Sequence, residues 1–218
     1  MIRIPTPELK RRHVVSGLAA VATATALPGL AALAQARLIA TPRQTLGPFY
    51  PVEWSGDIDN DLVVVKGEAA QAMGQVTYVM GRVLDLSGAP IAGARIEIWQ
   101  CDANGRYRHP SDRNGQRDAA FQGRGHTLTG SDGRYSFRTI RPVPYPGRTP
   151  HIHFAIVAPS RPQLVTQMYV AGEPGNARDG LLQSISDPRQ RDAVIVKLEP
   201  AERLEPKALA GTFDIVMG

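Results

Sequence analysis

The sequence predicts an all-β protein, a two-sheet β-sandwich of about eight short strands preceded by an N-terminal export signal. The chain has 21 glycines and 18 prolines among 218 residues, which favours short strands joined by turns over long helices. Apolar and polar residues alternate in several stretches, and turn signals recur between them. No long helical pattern follows residue 36. These observations are typical of a sandwich.

Residues 1–36 have the pattern of a secretory signal of the twin-arginine type. Lys10-Arg11-Arg12 precedes an apolar stretch over 14–34, and Ala34-Gln35-Ala36 is an A-x-A cleavage site. The alternative is a retained transmembrane anchor, but the stretch is alanine-rich and weakly hydrophobic for a span. We therefore expect a 37–218 domain that is periplasmic or secreted and meets a membrane only during export.

Charge and cysteine content narrow the class of function. The formal net charge is +5, and residues 1–36 hold +3 of it, so the remainder is mildly basic and has no Lys/Arg run. The sequence therefore predicts no nucleic-acid partner. Cys101 is the only cysteine, so no internal disulfide can form. It follows an apolar run that ends at Trp99, which predicts a packed, unreactive thiol.

Strand-like stretches follow one another through the domain. Residues 128–140 are predicted to form a hairpin with Asp132-Gly133 as its turn, and 181–191 a short helix or an irregular loop. Residues 44–51 are too apolar for a plain linker, so we expect them to wrap over the domain. The other predicted strands cover 62–65, 75–84, 94–100, 151–157, 163–170, 193–198 and 212–217. Within 94–100, Ile96 and Ile98 are expected to point inward.

His151 and His153 form the strongest candidate metal-binding pair. They are two residues apart on a predicted strand, so both point to one face, with Ile152 and Phe154 on the other. The alternative is a pair of surface or hydrogen-bonded histidines on a half-buried strand. Because the strand is otherwise apolar, burying two unpaired imidazoles there is costly, and a metal ion removes that cost.

Few other donors are available near this pair. No Asp or Glu lies within 142–157, which disfavours zinc and the two-histidine, one-carboxylate iron site. Among the six tyrosines, Tyr107 and Tyr145 sit in loops beside turns, where functional residues concentrate. Gly-Arg-Tyr occurs at 105–107 and at 133–135, and the first copy opens a polar loop. Two phenolates and two imidazoles suit a trivalent cation, above all Fe(III).

Four motifs in chain order carry a resemblance to a known family. They are Gln44-Thr-Leu-Gly-Pro-Phe-Tyr50, Glu97-Ile-Trp-Gln-Cys-Asp-Ala-Asn-Gly-Arg-Tyr107, Tyr135-Ser-Phe-Arg-Thr-Ile140, and Pro144-Tyr-Pro followed by His151-Ile-His-Phe154. Together they resemble the intradiol ring-cleavage dioxygenases, which include protocatechuate 3,4-dioxygenase and catechol 1,2-dioxygenase. The resemblance covers roughly residues 41–170 and implies the family's β-sandwich.

The resemblance also implies a catalytic site. The implied non-haem Fe(III) ligands are Tyr107, Tyr145, His151 and His153, and Gly47, Pro48 and Arg148 are implied substrate-binding residues. The implied reaction uses O2 to cleave a catechol between its two hydroxylated carbons and gives a muconate-type diacid. In it, Tyr145 leaves the metal as general base, Arg148 stabilises developing charge, and Gln167 lies near the ring-binding pocket.

Several features stay open at this stage. Tyr145 and His151 are six residues apart, where familiar members often have a longer insertion, so we expect a more open pocket wall. The substrate can be protocatechuate, catechol, hydroxyquinol or a larger catechol, with Arg108, His109 and His126 as further polar candidates. Homo-oligomerisation is equally open. Two alternatives compete with the enzyme: an exported sandwich that only binds, and a homologue that binds iron or catechols without turnover.

Overall fold

The computed structural model describes residues 38–113 and 115–218, so the predicted export signal at 1–36 lies outside the described residues. Within them, ten strands form two five-stranded sheets, and the helices are short. The predicted all-β sandwich is therefore confirmed, with two more strands than expected. No helix in these described ranges is long and apolar enough to cross a membrane.

The elements divide between the two sheets as follows. The strands are β1 Val76–Asp85, β2 Arg95–Trp99, β3 Arg124–Leu128, β4 Arg134–Ile140, β5 His151–Val157, β6 Leu164–Val170, β7 Ile195–Val196, β8 Glu199–Pro200, β9 Leu209–Thr212 and β10 Ile215–Met217. A 3₁₀ helix, Pro174–Arg178, precedes α1, Gly180–Gln183, and α2, Pro188–Ala193. One sheet has the order β10-β1-β9-β8 with β4 paired to β1, and the other has the order β3-β2-β5-β6-β7.

The core lies between the two sheets. Ile96 and Ile98 of β2 are fully buried there, as the alternation predicts, beside Phe137 of β4 and Phe154 of β5. Burying side chains of this size stabilises the fold by roughly 1.5–3 kcal/mol each. The opposite face of β2 presents Trp99 to a smaller, separate apolar cluster, and the candidate functional residues gather on that face.

The predicted hairpin over 128–140 is wrong. A turn at Asp132-Gly133 is present, but β3 pairs with β2 in one sheet, whereas β4 pairs with β1 in the other. The turn therefore carries the chain across the sandwich. A local turn signal cannot distinguish these two connections because both need the same reversal of the backbone.

Three other strand predictions need correction. Residues 62–65 form a loop beside one isolated bridge between Asp61 and Arg138, because a short apolar run specifies burial and not strand pairing. The strand predicted over 193–198 is reduced to β7, since α2 extends to Ala193. The strand predicted over 212–217 is divided into the end of β9 and β10, which pair with successive parts of β1.

An N-terminal segment covers the outer face of the second sheet, as predicted. The Gln44 amide donates to the Val165 carbonyl of β6 at 2.8 Å, and the Tyr50 hydroxyl donates to Glu97 of β2 at 2.9 Å. We call residues 44–50 the covering segment. It is anchored at both ends, so the chain between the anchors is held over β5.

Candidate metal centre

The two histidines of β5 point to the same face of the sheet. His151 and His153 are 1% and 2% exposed, and their Nε2 atoms lie 3.3 Å apart. His151 Nδ1 lies 2.6 Å from the Thr149 carbonyl oxygen. Because a carbonyl can only accept, Nδ1 carries the proton, and Nε2 keeps its lone pair. Metal-binding histidines are commonly oriented in this way.

Both loop tyrosines meet the histidines. The Tyr145 hydroxyl lies 3.4 Å from His151 Nε2. The Tyr107 ring is edge-on to that of Tyr145, with centroids 5.5 Å apart, and its centroid is 6.1 Å from that of His153. Donor atoms bound to one ion at about 2.0–2.1 Å lie about 2.9–3.4 Å from each other. The two measured donor separations therefore match a shared ion.

Burial controls the charge of these four side chains, which we call the four-donor cluster. It lowers the pKa of His151 to about 4, and the positive charge of Arg148 adds to this effect. It lowers the pKa of His153 well below the ordinary value, as does the neighbouring His151. Burial raises the pKa of Tyr107 well above the ordinary value and also raises that of Tyr145. Neutral imidazoles are ready to bind a metal, whereas the phenols need a cation to ionise.

Unpartnered polar atoms also fit a metal ion at the cluster. The Tyr107 hydroxyl and His153 Nδ1 are buried and have no hydrogen bond of good geometry to any described residue. A buried polar group left unpaired costs about 1–3 kcal/mol, and metal binding removes that cost for the hydroxyl. No cluster of three or more His, Cys, Asp or Glu occurs within 38–113 and 115–218. The donors available therefore fit Fe(III) better than zinc.

Arg148 and Gln167 lie together next to the cluster. Arg148 donates to the Gln167 Oε1 atom at 2.6 Å and, through Nε, to Asp179 at 2.8 Å. The Asp179 side chain is fully buried, also accepts from the Thr149 amide, and caps the start of α1. Sequence reasoning missed Asp179. The position of Asp179 before a helix indicates an N-terminal cap. Its ion pair with Arg148 joins residues 31 apart in the chain, and no local sequence pattern indicates such a pair.

The covering segment closes over the histidines. Gly47 approaches His153 so closely that a Cβ atom at this position would lie 3.2 Å from His153 Cε1. Phe49 stacks on the Tyr107 ring with centroids 4.7 Å apart. Pro48, which was predicted to contact substrate along with Gly47, is exposed beside it. The segment therefore forms one wall of the space next to the four donors.

Gly47→Ala is expected to disturb the centre, whereas Gly56→Ala is the matched control. Both glycines have positive φ, 73° and 78°, so alanine costs about 1–2 kcal/mol of stability at either position. Only at Gly47 does the new methyl group meet a neighbour, since nothing lies within 4 Å of the Gly56 position. Chelator competition should show weaker iron binding for Gly47→Ala alone. Equal iron affinity in the two variants would contradict the close approach.

The buried imidazole of His151 makes the stability of the metal-free protein depend on pH. Its pKa is about 4 in the fold against 6.5 ordinarily, so the unfolded chain binds the extra proton between these values. The free energy of unfolding is expected to fall by about 3 kcal/mol in total from this residue as pH drops through that window. Urea unfolding at pH 7 and pH 4.5 measures the loss. His151→Gln cannot titrate, so an undiminished loss in that variant would disprove this origin.

Three other residues considered from the sequence lie outside the four-donor cluster. His109 is buried, with its ring 5.8 Å from that of Phe49, and accepts from the Ser111 amide. His126 lies on β3, and its Nδ1 is 2.7 Å from the Ile58 carbonyl. Cys101 is buried, which confirms that its thiol is packed as predicted, and burial raises its pKa to about 12.

The chain is also similar in sequence to known proteins. A family model described as Dioxygenase matches residues 45–218. The chain is 36% identical over 184 residues to the protocatechuate 3,4-dioxygenase beta chain of Burkholderia cepacia, a match that covers 80% of this chain and 78% of that protein. It is 37% identical over 160 residues to a hydroxyquinol 1,2-dioxygenase of Nocardioides simplex, and here it spans 65% of its own length and 51% of the relative.

A solved structure is also similar. It is the dioxygenase domain of a dioxygenase carbohydrate-binding protein fusion from Streptomyces sp. SirexAA-E, with a TM-score of 0.63 and 35% sequence identity. The match covers 82% of this chain and 98% of that one. The family match spans far more than half of the chain, and the two histidines and two tyrosines that carry the resemblance lie together in the fold. This chain belongs to the intradiol ring-cleavage dioxygenase family.

Proposed function

We propose that this protein is a non-haem Fe(III) dioxygenase that cleaves a catechol-type ring between its two hydroxyls with O2 and releases a muconate-type diacid. The observation that carries the proposal is the convergence of donors on His151 Nε2, which lies 3.3 Å from His153 Nε2 and 3.4 Å from the Tyr145 hydroxyl. The Tyr107 ring packs edge-on against that of Tyr145. The names of the relatives support a catechol-type substrate.

The four donors differ in burial, and this assigns their roles. His151, His153 and Tyr107 are nearly inaccessible, so they are the residues that would hold the metal ion. Tyr145 is half-buried, so a substrate can reach its phenolate oxygen, which would accept the substrate's proton as general base. A bound Fe(III) ion supplies the Lewis acidity that activates a catechol toward O2.

Arg148 supplies a fixed positive charge beside this centre. Its side chain is 14% exposed and is held by Asp179, which is fully buried, and by Gln167. A charge fixed in advance stabilises negative charge that develops during a reaction without reorganising at that moment. Arg148 would therefore orient the substrate and stabilise the negative charge that develops during the reaction, and Gln167 keeps the guanidinium in place.

Colour and oxygen uptake test the proposal. Iron-loaded protein is expected to be red to purple from tyrosinate-to-iron charge transfer and to consume O2 with one or more of protocatechuate, catechol, hydroxyquinol or a larger catechol. A protein that stays colourless after iron reconstitution would exclude the proposal. Colour without uptake across that panel would instead support a homologue that binds iron or catechols without turnover.

We also propose that residues 1–36 direct export and that the 37–218 domain acts in the periplasm or after secretion. The paired Arg11 and Arg12 before an apolar stretch support this proposal. The exported protein is expected to begin at Arg37, which N-terminal sequencing can establish. Replacing both arginines with lysine is expected to retain the protein in the cytoplasm, and unchanged export of that variant would contradict the twin-arginine assignment.

A further inference from the structure

Three arginines without an ion pair line one cavity outside the four-donor cluster. Arg108, Arg117 and Arg124 surround a cavity of about 470 Å³ whose other wall is formed by residues 51–56. None of the three forms a salt bridge with any residue that the structure describes. Glu53 is the one acidic residue that lines it, and its carboxylate accepts from the Ser55 hydroxyl.

The nearby aspartates are engaged elsewhere. Arg108 and Arg117 also line an adjoining cavity of about 370 Å³, which contains Asp102 and Asp118. Asp102 accepts three backbone N–H groups, and Asp118 accepts two. These carboxylates therefore stabilise loop geometry, and neither forms an ion pair with Arg108 or Arg117 among the described residues.

Arg124 has an unpaired donor atom and a like-charged neighbour in this arrangement. It is half-buried, and its Nε atom is buried without a hydrogen-bond partner among the described residues, while one terminal nitrogen donates to the Ser55 carbonyl at 3.0 Å. Burial and then repulsion from Arg108 lower its pKa, against the opposing effect of Glu53. An anion in the cavity would relieve the repulsion between the guanidinium groups of Arg108 and Arg124.

We propose that this cavity binds a small organic acid with at least two carboxylates. Guanidinium groups pair with carboxylates through two parallel hydrogen bonds, and three of them around one cavity match more than one carboxylate. Pro51, Val52 and Pro110 add an apolar wall for the carbon frame of the ligand. The cavity shares no lining residue with the four-donor cluster, so the proposal does not depend on catalysis at that cluster.

Isophthalate, a benzene ring with two carboxylates, is a suitable probe for calorimetric titration of the full iron-loaded chain. Wild type is expected to bind it, and Arg117→Gln and Arg124→Gln are each expected to bind about tenfold more weakly. Arg203→Gln is the matched control, because it removes an exposed arginine from a different loop. Added NaCl is expected to weaken binding, since salt screens the charges.

The neutral diamide of isophthalate separates charge recognition from apolar contact. We expect no binding of the diamide, and thermal unfolding of each variant checks that it is folded. Undetectable isophthalate binding to wild type, equal affinity in Arg117→Gln, Arg124→Gln and wild type, or equal binding of the diamide would overturn the proposal. The titration uses neither O2 nor a catechol, so its outcome does not depend on whether the dioxygenase proposal is correct.

Discussion

Tyr107→Phe is expected to lower oxygen uptake on the order of a thousandfold or more while leaving the metal-free fold as stable as wild type. The Tyr107 hydroxyl is buried and has no hydrogen bond of good geometry to a described residue. Removing it costs the apoprotein nothing and can stabilise it by about 1 kcal/mol. The same change removes a donor from the cluster, so the tyrosinate-to-iron absorption is expected to weaken and shift.

Tyr135→Phe is the matched control. Gly-Arg-Tyr occurs twice in the chain, and Tyr135 is the tyrosine of the second occurrence, as Tyr107 is of the first. Its hydroxyl is buried in the core and donates to the Phe213 carbonyl. Phenylalanine there leaves that carbonyl unpaired, so we expect a loss of about 1–2 kcal/mol of stability with no change in colour. Full colour and uptake in Tyr107→Phe, or a greater loss of apoprotein stability than in Tyr135→Phe, would disprove the role of Tyr107 as a donor.

Asp179→Ala is expected to reduce the free energy of unfolding by about 3–5 kcal/mol. The variant leaves the partly buried guanidinium of Arg148 without its carboxylate, removes the acceptor of the Thr149 amide, and uncaps α1. Urea unfolding of the metal-free protein measures the loss. Because Arg148 is then no longer fixed beside the centre, oxygen uptake in the iron-loaded variant is expected to fall as well.

Asp187→Ala provides the comparison, since Asp187 also caps a helix and pairs with an arginine. It caps α2 and lies 3.1 Å from Arg189, but the two side chains are 32% and 74% exposed. We expect a loss of about 1 kcal/mol, mostly from the cap. Equal losses in the two variants would show that the buried ion pair contributes nothing.

The acid dependence of Asp179 follows from the same contacts. Burial opposes its ionisation, yet the hydrogen bonds from Arg148 and from backbone amides lower its pKa below the ordinary 3.8. A depressed carboxyl pKa stabilises the fold above the unfolded-state value, and this contribution is lost as pH falls through the lower, folded-state value. The contribution of Asp179 is therefore retained between pH 6.5 and about 4, the window in which His151 lowers the free energy of unfolding.

The histidine pair is a feature of the site that local sequence is sufficient to predict. A two-residue spacing on a strand fixes a shared face, because side chains alternate, and β5 obeys this rule. Tyr145 lies in the loop that leads directly into β5, whereas nothing near Tyr107 in the sequence places it against β5. The approach of Tyr107 depends on the pairing of β2 with β5, which aligns Trp99 with His153 and brings the loop that carries Tyr107 to that face.

The hairpin shows where local sequence misleads. The sequence correctly predicts the turn and the alternation of Tyr135 and Phe137 along β4. Which strand pairs with β4, however, depends on packing across the whole sandwich. Sheet partners are selected by burial against distant residues, so β4 joins β1 and not β3. For the same reason, the local sequence does not reveal the ion pair of Asp179 or the arginine-lined cavity, because each depends on charges brought together from distant parts of the chain.

By itself, the sequence determined the fold class, the shared face of His151 and His153, the buried thiol and the family motifs. These features depend on periodicity, composition and short spacing, which act over a few residues. Only the tertiary structure decided the sheet membership of each strand, the closeness of the four donors, and the ion pair that fixes Arg148. Those features depend on long-range packing and on the burial of charge, which no local pattern encodes.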